Sequence, residues 1–171
     1  SNMKFMLDGA LTVATLDGAN IEIKDYVGED NIFIFGLKKE EVLQYEADHS
    51  YQASDYYAND PILHRVLDAF VDGTIPSIGA EGAEIFNSLV HANDEYFVLR
   101  DFEDYLRAQG EVEKTYRNPS LWNKKCLVNI ANAGYFSSDY TIQKYADEIW
   151  HVAPSDPLDG KDCGANGQYP L

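Results

Sequence analysis

The spacing of apolar residues changes from a strand period to a helix period about a quarter of the way along the chain. Met3, Phe5, Met6 and Leu7 make it apolar from its third residue, as expected of a stretch that begins inside a buried element. Leu11 to Leu16 is short, apolar and rich in β-branched residues, which predicts a buried strand. Asp17-Gly18 punctuates it, and Asp17 is placed to cap a helix beginning near Ala19. Ile32 to Phe35 is unbroken in its hydrophobicity, which predicts a second strand covered on both faces, ended by Gly36. Two such strands with a helix between them predict a parallel βαβ unit.

From there the apolar positions recur at helical spacing. Lys38 to Ala47 is amphipathic. Asp60-Pro61 offers a cap with proline at the first helical position, followed by Ile62, Leu63, Val66, Leu67, Phe70 and Val71. Residues 75–82, with Pro76, Gly79 and Gly82, predict a loop. Ile85, Phe86, Leu89 and Val90 then form a short apolar face. Asp101 is placed to cap the next helix, which Gly110 interrupts. Asn118-Pro119 begins another, with Leu121, Trp122, Leu127 and Ile130 expected inward and Gly134 as its stop. Ser138 is placed to cap the last, with Ile142, Tyr145, Ile149 and Trp150 expected buried. From Pro154 the composition turns to Gly, Pro, Asp and Asn. Residues 1–152 are therefore expected to fold and residues 153–171 to be a flexible polar tail. The pattern as a whole predicts an α/β, helix-rich chain: two short parallel strands followed by a run of helices.

Composition narrows the partners. The 171 residues carry a net charge of −16, and thirteen Lys and Arg face twenty-nine Asp and Glu. Such a surface repels phosphate backbones and anionic bilayers, so neither nucleic acid nor membrane is expected as a partner. No apolar run approaches the ~20 residues of a membrane span, and the opening has no secretory-signal pattern. The two cysteines, Cys126 and Cys163, are too few and too far apart for a zinc site or a disulfide framework, which favours a reducing, cytoplasmic setting.

Few residues carry candidate chemistry. His49, His64, His91 and His151 are dispersed, without the paired spacing of metal ligands. Tyr45, Tyr51, Tyr56 and Tyr57 suit helix packing, with stacking on sugar rings as the alternative. The acidic pairs Glu40-Glu41 and Glu111/Glu113 suit solvated helix faces. Lys4 is the residue with two distinct readings. It is either a solvated lysine near a terminus or a Schiff-base lysine, whose amine is kept partly neutral by apolar neighbours.

A resemblance bears on that choice. Ser1, Met3-Lys4 and Leu7 match the Gly-or-Ser, Met-Lys and Leu/Met positions of the cofactor signature of the α-glucan (glycogen, starch, maltodextrin) phosphorylases. GALT, TLDGAN, NIFIFG, YRNPSLW, FSSD and EIW follow in family order, so the resemblance covers residues 1 to about 152. Three positions depart from the family. Asp8 replaces the closing Asn of the signature, one turn from Lys4 and placed to pair with it. Ala14 stands where Gly is common, and Tyr140 where Arg is usual.

The resemblance implies that this chain is the carboxy-terminal part of a longer enzyme, whose Rossmann-like domains are arranged in the GT-B manner. The signature's Glu-Ala-Ser/Cys-Gly is expected before Ser1, and the sugar contacts in an amino-terminal domain. It implies that Lys4 holds pyridoxal phosphate, with Ser1 and Asn2 as loop neighbours and a helix start receiving the cofactor phosphate. It implies the partners α-glucan and inorganic phosphate, release of α-glucose 1-phosphate, and a homodimeric parent. This chain alone is expected to be inactive, because most of the site lies elsewhere, and its Met3 to Leu16 region to self-associate. The alternative is a non-catalytic helical interaction or glucan-binding module derived from such an enzyme.

Overall fold

A computed structural model describes residues 2–153. Ser1 and residues 154–171 of the expected tail lie outside the described residues. Two compact units divide between Asn132 and Ala133.

The first unit opens with the short helix α1 (Asn2–Leu7), strand β1 (Val13–Ala14), helix α2 (Ala19–Val27) and strand β2 (Phe33–Ile34). β1 and β2 pair in parallel, with Val13 opposite Phe33 and Ala14 opposite Ile34. This is the expected βαβ unit. Its strands are shorter than the apolar runs that announced them, because only two residues of each run pair. The flanking residues of the first run are half-buried in open chain. Asp17 does not cap α2 with its side chain. The carboxylate accepts instead from the Thr15 hydroxyl at 2.6 Å, while the Asp17 carbonyl accepts from the Asn20 N–H.

Helices then dominate: α3 (Lys39–Asp48), α4 (Ala53–Asn59), α5 (Pro61–Asp68), α6 (Gly79–Phe86), α7 (Val98–Tyr116) and α8 (Pro119–Asn132). Asp60 caps α5 as expected, its Oδ1 accepting from the N–H groups of Ile62 and Leu63 at 2.8 and 3.1 Å. Tyr51, Ala53, Leu63, Leu67, Val90 and Leu99 form the apolar centre of α4, α5 and the start of α7. α1 and α2 both pack on α8, and Met6 and Ile23 are completely buried.

Four expectations are corrected here. Residues 79–82 are not loop: α6 begins at Gly79 and carries Gly82 inside. A Cβ on Gly82 would lie 2.2 Å from the Phe70 carbonyl oxygen, so glycine permits the helix to seat there. α7 begins at Val98, before Asp101, and runs unbroken through Gly110. Its first turn is served from upstream, by Asp94 Oδ2 accepting from the Leu99 N–H at 2.7 Å. Asp101 turns to β2 instead. Its Oδ1 accepts from the Leu37 N–H at 2.8 Å, beside Asp104 Oδ2 accepting from the Gly36 N–H at 2.8 Å. On α8, Leu121, Leu127 and Ile130 are exposed rather than inward, and Asn129 is the buried residue. The Asn129 Nδ2 donates to the Asn31 carbonyl at 2.9 Å, so a hydrogen bond, not apolar burial, sets that face.

The second unit contains a 3₁₀ turn (Ala133–Phe136), helix α9 (Ser138–Tyr145) and a π-helical turn (Ala146–Trp150). Its cap is Ser137, one residue before the expected Ser138, with Oγ accepting from the Tyr140 N–H at 3.1 Å. Ile142, Tyr145, Ile149 and Trp150 are exposed, and the buried residues described in this unit are Ala133 and Ala146. The periodicity located this helix, but its large apolar side chains do not form a core.

Candidate functional site

α1 carries Lys4 between two anchored residues. Met6 is completely buried, while Phe5 and Leu7 on either side of it are 61% and 56% exposed. A six-residue helix has only one face to bury, and here it is spent on Met6. The apolar setting expected around Lys4 is therefore incomplete, and Lys4 itself is exposed. At the other end, Asn2 Nδ2 donates to Asn20 Oδ1 at 2.7 Å, and Asn2 Oδ1 accepts from the Met3 N–H at 3.1 Å. Asn20 Nδ2 in turn donates to the Thr15 carbonyl at 3.0 Å. The start of α1 is thus tied to the carboxyl end of β1, the end at which open α/β sheets receive ligands.

The expected pairing of Lys4 with Asp8 is not formed. α1 ends at Leu7, and Asp8 begins a turn in which its N–H donates to the Phe5 carbonyl at 3.0 Å. Among the described residues no ion pair engages Lys4. A reachable primary amine is the donor that a carbonyl-bearing cofactor needs, and Lys4 meets that one requirement without the apolar enclosure expected around it. Ser1, the other expected neighbour, lies outside the described residues. Asn20 was missed as a candidate. Its only signal in the sequence is its place in the TLDGAN segment.

An apolar cavity of about 1040 Å³ opens at the carboxyl ends of both strands, lined among others by Leu16, Ile21, Phe35, Val42, Phe97 and Phe102. Lys4 does not line it. Gly36 closes β2 beside this cavity with φ of 84°. The desolvated Asp101 carboxyl is held above its ordinary pKa by burial, and Asp104 below its own by the Arg107 guanidinium.

The tyrosines are packing residues in this arrangement. Tyr51 stands 5.6 Å from Tyr45 and 4.8 Å from Phe97, ring centre to ring centre. Its hydroxyl donates to the buried Asp94 Oδ2 at 2.8 Å, and burial followed by that carboxylate raises its pKa. Tyr57 stacks on His64 at 4.2 Å, and His64 Nε2 lies 3.2 Å from Asp68 Oδ2. Among the described residues no group of three or more His, Cys, Asp or Glu is arranged to hold a metal ion. No helix among them is long and apolar enough to cross a membrane. Cys126 is a half-buried free thiol, and Cys163 lies outside the described residues.

The described residues form a helix-rich α/β chain with a parallel βαβ unit, and α1, which carries the exposed Lys4, is tied through Asn2 and Asn20 to the carboxyl end of β1. The family model for carbohydrate phosphorylases matches residues 1–152, and the chain belongs to that family. It is similar to a glycogen phosphorylase of Bacillus subtilis (strain 168), at 48% identity over 153 residues, 90% of this chain and 19% of that protein. The brain form of glycogen phosphorylase from Homo sapiens is 46% identical over 156 residues, 91% of this chain and 18% of its own length. The muscle form from Homo sapiens is 44% identical over 155 residues, 90% and 18% respectively. The chain thus spans less than a fifth of the length of these relatives.

Proposed function

We propose that this chain is part of a glycogen phosphorylase, with Lys4 as the point at which pyridoxal phosphate is attached. The observation that carries this reading is the placement of Lys4: an accessible amine on a helix tied by Asn2 to the carboxyl end of β1. The names of the relatives agree with it. In the reaction, an oxygen of inorganic phosphate bonds to the anomeric carbon of a terminal α-1,4-linked glucosyl unit. The glycosidic bond breaks, its oxygen takes a proton from that inorganic phosphate, and α-glucose 1-phosphate leaves. When bound, pyridoxal phosphate supplies the phosphate group that relays this proton.

The residues of this chain hold and place that group and do no chemistry on the sugar. Lys4 anchors through Nζ, Met6 fixes one side of its helix and Asn2 the other. The glucan contacts, the residues that bind inorganic phosphate and the dimer contacts belong to the remainder of the enzyme, an amino-terminal domain included. The 171-residue chain by itself is therefore inactive and holds the cofactor weakly, in a cytoplasmic enzyme.

Incubation of the chain with pyridoxal phosphate, reduction with borohydride and peptide mapping tests the reading. Label concentrated on Lys4, with no glucose 1-phosphate released from maltodextrin, is the expected result. Label spread evenly over the lysines would remove the cofactor role and favour a non-catalytic module. Release of glucose 1-phosphate would overturn the inactivity.

A further inference from the structure

We propose that Asn20 is a positioning residue for the cofactor lysine, a role that rests on the assignment of Lys4 above. Asn20 is the middle of a three-part bridge. Its Oδ1 accepts from Asn2 Nδ2 at 2.7 Å and its Nδ2 donates to the Thr15 carbonyl at 3.0 Å. Both ends of one amide are used, so the side chain is fixed in rotation as well as position. Thr15 is the first residue after β1 and Asn20 the second residue of α2, so the amide fastens α1 to the junction of β1 and α2.

The bridge matters because few side chains among the described residues hold the start of α1. Its packing anchor is Met6, two residues beyond Lys4, and the residues before Lys4 have no buried apolar side chain among those described. Without the Asn2–Asn20 bond, the turn that starts α1 frays, as chain segments without side-chain anchors do. Lys4 Nζ then sweeps a volume of solvent instead of meeting one place at the carboxyl end of β1. Asn20 acts on the lysine through Asn2 and touches neither the amine nor the sugar.

The role predicts which substitutions interact. Asn20→Ala removes both of its bonds, and Asn2→Ala removes the one by which Asn20 reaches α1 together with the acceptor of the Met3 N–H. If the effect on Lys4 passes through the shared Asn2–Asn20 bond, the two substitutions together lose less than the sum of the two apart. The test uses the 171-residue chain in four forms: unsubstituted, Asn2→Ala, Asn20→Ala and both together. Two quantities are read on each. One is the amide exchange rate of Met6 and Leu7 without cofactor. The other is the ratio of borohydride-fixed pyridoxyl label at Lys4 to that at the other lysines.

Each single substitution is expected to speed exchange and lower the labelling ratio by about three- to tenfold, the range of one lost hydrogen bond. The double substitution is expected to lose less than the sum of the singles. Faster exchange with an unchanged labelling ratio would overturn the positioning role and leave Asn20 a structural residue of the turn. Additive losses in the double would overturn the route through Asn2. An unsubstituted chain with no preference for Lys4 would overturn the cofactor assignment itself. That outcome is distinct, because it is read before any substitution is made.

Discussion

Gly36 shows how narrowly single residues are specified where the strands end. Its φ of 84° is one that side chains rarely adopt, and a Cβ there would lie 2.5 Å from Asp101 Oδ2. Gly36→Ala is expected to cost about 1–3 kcal/mol in urea unfolding, and less in an Asp101→Ala background, where the collision is gone. Tyr51 sets a second condition. Burial and the Asp94 carboxylate hold its hydroxyl protonated in the folded chain, with the pKa raised. The unfolded chain ionises near pH ~10. The Tyr51 contribution is therefore complete below that pH and is lost as pH rises toward the folded value, at up to about 1.4 kcal/mol per unit. Urea midpoints measured between pH 9 and 11 should fall more gently in Tyr51→Phe than in the unsubstituted chain. Below pH 9, Tyr51→Phe should itself be less stable by about 1–3 kcal/mol, because Asp94 loses a donor while remaining buried.

At the scale of elements, capping gives the cleanest forecast. Asp60→Ala should lower stability by about 1 kcal/mol and Asp60→Ser by less, read as shifts of the urea midpoint. This cap was legible from Asp60-Pro61, since both signals are local. The βαβ unit was legible for the same reason: two apolar runs of strand length with turn residues between them. What could not be read required knowledge of partners distant in sequence. Asp101 carries a good capping side chain, yet the N–H groups of Gly36 and Leu37 lie within reach of α7 and draw Asp101 and Asp104 to them. Asp94, 43 residues from Tyr51, takes over the first turn of α7. Helical spacing correctly found α8 and α9 but misjudged their buried faces: an amide, Asn129, is the buried residue of α8, and α9 buries none of its own residues, the small Ala146 just after it being buried instead. The candidate site divides in the same way. Lys4 was proposed from resemblance, whereas Asn20 makes its contact with α1 across 18 residues and was not singled out by any local pattern.

For the molecule as a whole, charge has the widest reach. A net charge of −16 on 171 residues makes folding oppose its own repulsion. Raising sodium chloride from about 10 to 150 mM, which shortens the Debye length from ~30 to ~8 Å, should therefore raise the urea midpoint. A midpoint that falls would mean that the ion pairs along α7, such as Arg107 with Glu111 at 2.9 Å, outweigh the repulsion.

The clasp between α8 and the turn before β2 also has a consequence in time. Asn129 donates to the carbonyl of Asn31, 98 residues earlier, and Lys125 reaches the carbonyl of Asp30. A ribosome adding about 5–20 residues per second finishes β2 roughly 5–20 s before it makes the residues that secure it. The parallel strands thus leave the exit tunnel well ahead of their fastening. That interval is when a growing chain most needs a chaperone to shield Ile32 and Phe33.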